Sequence, residues 1–235
     1  MKVVSRTHIG NVRPSNQDAL LLQSGAFGLY GVADGMGGHK AGDVASSMAV
    51  TMLGRALNGA KPSEELLRGG IEEANALIFE KQKADDSLSG MGTTLTVIWE
   101  DERRVLLGHV GDSRAYLLRG GELKQISQDH SMVGELVRDG FITPEEAMRH
   151  PYRNVITRAL GASEGVEVDT LELDKQPGDK YLICSDGLSE YVRQPQMEQI
   201  LLSMSLEEAA DTFLRLALEG GGRDNISLVI AEVTA

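Results

Sequence analysis

A single cysteine, Cys184, in 235 residues excludes an internal disulfide and the multi-cysteine zinc patterns. That usage fits a reducing compartment. Positive charge is also scarce: Lys and Arg total 23 against 35 Asp and Glu, a formal charge of −12. A nucleic-acid binder sets clustered Lys and Arg against phosphates, so nucleic acid is not an expected partner. No stretch reaches the ~18 apolar residues of a membrane helix. The first ten residues, Met1 to Gly10, carry charge and a histidine where a signal peptide needs an apolar run. The expected protein is cytoplasmic and monomeric, with no membrane segment in this chain.

What is present is ordinary for a globular domain: 41% hydrophobic and 25% charged residues. No repeat, low-complexity tract or Pro/Ser-rich linker marks a boundary, so residues 1–235 read as one domain. Strand-length apolar runs occur at Ala19–Gln23, Phe27–Ala33, Thr93–Trp99, Val105–Val110, Arg114–Leu118, Leu171–Leu173, Lys180–Cys184 and Ile226–Val233. Gly120-Gly121 predicts a tight hairpin, and the short connections from Thr93 to Ile126 favour antiparallel pairing. Helical periodicity covers His39–Leu57, a segment opened by Pro62, and Leu206–Leu218 with Ser205 as its cap. Two shorter polar helices, Ser131–Asp139 and Pro144–His150, form a small flap insertion over about residues 131–155. Helices in pairs between runs of strands predict an α+β fold. Its expected form is a central β-sandwich of two antiparallel sheets with a helix pair outside each.

The aspartates carry the chemical signal. Asp34 ends Leu29–Ala33 and precedes Gly35; Asp186 ends Tyr181–Ser185 and precedes Gly187. Asp112 follows Leu106–Gly111, and Asp224 stands just before the last strand. Any one of these can simply cap a turn, as Asp-Gly does routinely. If the strand ends converge, electrostatics decides: two carboxylates ~5 Å apart repel by about 3 kcal/mol at an effective dielectric near 20. A cluster of them must be protonated or hold cations. An all-oxygen donor set selects Mg²⁺ or Mn²⁺, and a pair of such ions activates water against a phosphoryl group. Other phosphate chemistries fail on the letters. The place six after Cys184 holds Glu190 rather than the Arg of a cysteine phosphatase, and Asp-x-Asp and Gly-Lys are absent.

Seven motifs stand in order. They are Arg13-Pro14-Ser15-Asn16-Gln17-Asp18, Val32-Ala33-Asp34-Gly35-Met36-Gly37-Gly38-His39, Met91-Gly92-Thr93-Thr94-Leu95 and Gly108-His109-Val110-Gly111-Asp112-Ser113-Arg114, followed by Ile156-Thr157-Arg158-Ala159-Leu160-Gly161, Cys184-Ser185-Asp186-Gly187-Leu188 and Arg223-Asp224-Asn225. Over essentially the whole chain this resembles the metal-dependent protein serine/threonine phosphatases of the protein phosphatase 2C type, in their bacterial form. The resemblance implies two Mg²⁺ or Mn²⁺ ions bridged by Asp34, with the Gly35 carbonyl, Asp186 and Asp224 completing the ligands. It places Asp112 at a third, weaker ion, Asp18 on the nucleophilic water and Arg13 on the substrate phosphate. Expected partners are phosphorylated proteins and a cognate Ser/Thr kinase. A catalytically silent phosphatase-like binding module and a phosphatase of small phosphoesters are the alternatives.

The pattern departs from the family twice. Met36 stands where eukaryotic relatives carry the His proposed as general acid, leaving His39 as the nearest candidate; Gln17 stands where many relatives have Glu. Elsewhere plainer roles are expected. His109 reads as a satisfied core histidine, His130 as a structural hydrogen-bonder, and Cys184 as an inert buried thiol. Arg114 and Arg158 read equally as partners of carboxylates or of substrate. Basic residues in and beside the flap (Arg138, Arg149, His150, Arg153) either steer phosphopeptides or solvate the surface.

Overall fold

The computed structural model describes residues 1–37 and 41–234. In chain order the strands are β1 (Lys2–His8), β2 (Asp18–Gln23), β3 (Leu29–Met36), β4 (Gly92–Thr93), β5 (Leu95–Glu100), β6 (Arg104–Val110), β7 (Arg114–Arg119), β8 (Glu122–Gln125), β9 (Asp169–Asp174), β10 (Lys180–Cys184) and β11 (Ile226–Glu232). The helices are α1 (Ala41–Ala56), α2 (Glu64–Ala84), α3 (Met132–Arg138), α4 (Pro144–Ala147), α5 (Asp186–Ser189), α6 (Gln194–Ser203) and α7 (Leu206–Glu219). One sheet runs β1-β11-β10-β7-β8; the other runs β2-β3-β5-β6-β9, with β4 on the end of β3. Every pairing is antiparallel.

The sandwich follows from strands that are apolar on both faces. In β11, Ile226, Leu228 and Ile230 pack with Phe213 of α7, while Val229 and Ala231 point between the sheets. In β5, Leu95, Val97 and Trp99 join the layer under α1 and α2, and Ile98 joins Tyr30, Leu107 and Ile183 between the sheets. Successive side chains alternate faces, so a strand read as a continuous apolar run is covered on both sides. The result is three apolar layers, one under each helix pair and one between the sheets, as the order of elements implied. Phe213 has no exposed surface. Phe213→Ala is expected to cost about 3–5 kcal/mol, read from denaturant unfolding by the fluorescence of Trp99, which is itself buried.

Local signals account for most element ends. Ser205 and Glu208 form a reciprocal capping box at the start of α7, and Ser63 caps α2. Gly120 and Gly121 both have positive φ, +60° and +88°, the backbone of a two-residue hairpin turn. α1 is described from Ala41, and its expected start at His39 lies outside the described residues. β1 was not foreseen. It pairs with β11 from the far end of the chain, Lys2 opposite Glu232 through His8 opposite Ile226. Only Val4 of β1 is buried, so it leaves no apolar pattern. Between β8 and β9, α3 and α4 form the expected insertion, and its two ends are pinned by Met132 N–H donating to the Val155 carbonyl at 2.9 Å. Among the described residues no helix is long and apolar enough to cross a membrane.

Candidate active site

Antiparallel neighbours place the start of one strand beside the end of the next. The start of β2, the ends of β3, β6 and β10, and the start of β11 therefore meet at one end of the sandwich. Asp18 lies directly opposite Asp34 in the β2–β3 register. Asp186 follows β10 and opens α5, and Asp224 immediately precedes the neighbouring β11. Asp112 sits in the turn from β6 to β7.

Close backbone packing holds these turns together. A Cβ on Gly187 would fall 2.0 Å from the Asn225 carbonyl oxygen, and one on Gly35 would fall 2.1 Å from that of Gly42. The glycines after Asp34 and Asp186 are thus needed for backbone approach. Thr94 Oγ1 accepts from Asp34 N–H at 3.0 Å and shares a hydrogen bond with Ser113 at 2.7 Å, joining the Asp34 and Asp112 turns. Asn225 ties in the N-terminal loop. Its Oδ1 accepts from Gln17 N–H at 2.8 Å, and its Nδ2 donates to the Ile9 and Ser15 carbonyls, each at 2.9 Å. That loop carries Arg13. Asn225→Ala is expected to cost about 2–4 kcal/mol, three hydrogen bonds at about 1 kcal/mol each, and to raise KM more than it lowers kcat. Urea unfolding and steady-state kinetics check both.

The cluster is electrostatically tense. Burial pushes the Asp34 and Asp186 carboxyls well above the usual carboxylate range, and the surrounding carboxylates push them further: Asp18, Asp186, Asp112 and Asp224 act on Asp34, and Asp112, Asp224 and Asp18 on Asp186. Burial lifts Asp18 to about 6, against hydrogen bonds from Ser227 and Ser185. Burial lifts Asp112 also to about 6; Asp129 adds to the rise and Arg114 opposes it. Asp18 Oδ2 accepts from the Ser185 hydroxyl at 2.9 Å, but Asp18 Oδ1 and Asp186 Oδ1 are buried with no hydrogen-bond partner among the described residues. Arg13 donates to Asp224 Oδ2 at 2.5 Å, its side chain half exposed at the mouth of the cluster. Asp34 and Asp186 add to that attraction.

Among the described residues, no three His, Cys, Asp or Glu side chains are drawn into a finished ligand set. The carboxylates share one neighbourhood, with a guanidinium at its edge. The donor chemistry nonetheless fits hard divalent cations: the donors are all oxygen, two buried carboxylate oxygens are orphaned, and these carboxyls ionise with difficulty when no cation is present.

The remaining candidates take plainer roles. Arg114 grips Asp129 through two nitrogens at 2.6–3.0 Å, and Arg158 pairs with Asp169 at 2.7 Å and Glu167 at 2.9 Å. His109 is fully buried between Thr96 and the Gln128 carbonyl, each at 2.9 Å, and burial pulls it down to about 4. Cys184 is a buried thiol that burial pushes up to about 12. The Met36 side chain packs by Gly92, and His39 lies outside the described residues. Asn225, Thr94 and Ser185 were missed as site residues. The only trace they leave in the sequence is adjacency to an aspartate or a glycine.

A sandwich whose strand ends gather carboxylates beside an arginine has the donor chemistry of a centre for hard divalent cations. The family description "Protein phosphatase 2C" matches residues 6–220, and the chain belongs to that family. It is 44% identical to the serine/threonine phosphatase stp of Listeria welshimeri, across 97% of this chain and 94% of that protein. It is 42% identical to the serine/threonine protein phosphatase PstP of Mycobacterium tuberculosis, across 99% of this chain but 45% of that longer protein. The crystal structure of PstP superposes with a TM-score of 0.92 at 40% identity, covering 100% of this chain and 99% of that one. A PstP catalytic domain in complex with two manganese ions superposes at 0.89 with 39% identity, covering 100% and 98%. The chain is a serine/threonine protein phosphatase, and its substrates are phosphoproteins.

Proposed function

We propose that this phosphatase, a single catalytic domain over residues 1–235, works through two Mg²⁺ or Mn²⁺ ions held by Asp34, the Gly35 carbonyl, Asp186 and Asp224, with Asp112 serving a third. The buried Oδ1 atoms of Asp18 and Asp186, without partners among the described residues, carry this reading, since an unpaired buried carboxylate oxygen is costly unless a cation or water faces it. When bound, such ions acidify water and draw charge from phosphoryl oxygens. Asp18 is fixed through one oxygen by Ser185, which leaves Oδ1 free to orient the attacking water. Arg13 reaches the mouth on a half-exposed side chain, so its planar fork can leave Asp224 for two oxygens of the substrate phosphate. Asn225 keeps the Arg13 loop in register with the Asp224 turn. The flap at about 131–155 borders the cleft, and the cellular counterpart is a Ser/Thr kinase. That PstP has been crystallised with two manganese ions supports the metal count.

The test is hydrolysis of a phosphothreonine peptide and of p-nitrophenyl phosphate with Mn²⁺ titrated. Turnover of both is expected to need the metal and to stop in EDTA. Turnover persisting in metal-stripped protein with EDTA overturns the metal reading. Metal binding without turnover would instead favour the silent binding module, and turnover of small phosphoesters alone would favour the third alternative.

A further inference from the structure

His130 lies outside the acidic cluster, is 4% exposed, and uses each of its polar atoms. Gly111 N–H donates to its Nδ1 at 3.0 Å, and its own N–H donates back to the Gly111 carbonyl at 2.7 Å. Accepting at Nδ1 leaves the proton of the neutral ring on Nε2, which donates to Asp169 Oδ2 at 3.1 Å with Arg158 Nη1 beside it at 3.0 Å. Asp169 Oδ1 in turn accepts from Arg158 at 2.7 Å. Gly111 immediately precedes Asp112. Its φ of +112° and its packing on Thr94, 2.5 Å from where a Cβ would sit, leave that turn little freedom.

His130 also closes the base of the insertion. Its carbonyl accepts from Thr157 N–H at 2.8 Å, and Ser131 bridges to Ile156. One residue therefore touches both the peptide ahead of Asp112 and the point where the insertion leaves and rejoins the sandwich.

We propose that His130 is a positioning residue that fixes the Gly111–Asp112 turn from the base of the insertion and so sets the affinity of the cation site served by Asp112. This rests on the reading of Asp112 as a donor to the third ion. Groups that orient a ligand from behind it commonly carry much of a site's affinity. His130 does so through the backbone, by a bond its Nδ1 alone supplies.

Two substitutions separate positioning from bulk structure. His130→Asn keeps an acceptor near the Nδ1 position; His130→Gln keeps a donor near Nε2 and loses that acceptor. Calorimetric Mn²⁺ titration is expected to show the weakest binding event loosened about tenfold by His130→Gln and within about twofold of the parent in His130→Asn, with the tight events unchanged. Asp169→Leu, which removes the partner of Nε2 at a partly exposed site, is expected to loosen it about threefold and serves if His130→Gln does not fold. Equal Mn²⁺ affinities across these variants, or Asn and Gln loosening the weak event alike, would overturn the proposal. Asp112→Ala is the control: if it removes the weak event while the other variants leave it intact, positioning fails and the metal reading stands. If Asp112→Ala leaves the weak event intact, the reading of Asp112 fails and the proposal falls with it.

Discussion

Asp186→Asn is expected to lower kcat by about 10³-fold or more, the scale of losing one preorganised charge at a reacting phosphoryl group, while making the metal-free protein harder to melt. The two effects have one cause. Asp186 stands among Asp112, Asp224 and Asp18, each of which pushes its carboxyl toward the protonated form, and its buried Oδ1 has no partner among the described residues. Without cations the cluster stores repulsion, on the order of 3 kcal/mol for a pair about 5 Å apart at an effective dielectric near 20. The isosteric amide removes the charge and keeps the volume. Tm in EDTA should rise by about 6–12 °C, since roughly 1 kcal/mol moves a domain of this size by about 2–4 °C. A variant that loses activity and thermal stability together would show that Asp186 is a structural carboxylate. Differential scanning calorimetry in EDTA, beside phosphopeptide turnover in Mn²⁺, distinguishes the two.

The cluster could be anticipated because each of its members ends an apolar run or starts one, and such runs become strands whose ends have few places to go. Asp34 and Asp186 gave the clearest signal, each followed by glycine. The sequence suggested that this glycine leaves the backbone open to a ligand. In the fold, Gly35 and Gly187 also let neighbouring carbonyls pass within a distance no Cβ would permit. What stayed hidden is what holds the turns in place. Asn225 bonds Ile9, Ser15 and Gln17 across more than 200 positions, and no local pattern records that. β1 was hidden for a related reason: as an edge strand it is polar on one side and pairs only with the far end of the chain. His130 was read as a structural hydrogen-bonder, which it is. Only the fold reveals that its partner is the peptide before Asp112.

Removing the metal should make stability fall as pH rises from about 4 to 6, and saturating Mn²⁺ should abolish that fall. The sign follows from proton counting. A buried carboxyl raised in the native state keeps a proton that the unfolded chain has already released near pH 4, so the native state binds more protons and loses stability with increasing pH. For Asp18 and Asp112, each lifted to about 6, the loss is spread between about pH 4 and 6. His109 acts oppositely over nearly the same span. Its native value near 4 lies below the ordinary 6.5, so its contribution grows until the unfolded histidine is neutral. His130 is lowered too, mainly by burial, and shares that direction. Below about pH 6.5 the two families partly cancel. Asp34 and Asp186, held well above the usual range, add to the carboxylate side, so four raised carboxyls outweigh two lowered histidines. The Tm of EDTA-treated protein should therefore decline from about pH 4 to 6, and the stabilisation by Mn²⁺ should widen over the same interval, because cations favour the ionised carboxylates. Asp186→Asn should flatten the decline, since it removes one of the four raised carboxyls. An EDTA-treated protein whose Tm stays level or climbs over that interval, with a Mn²⁺ shift independent of pH, would mean that these carboxylates do not face one another in solution.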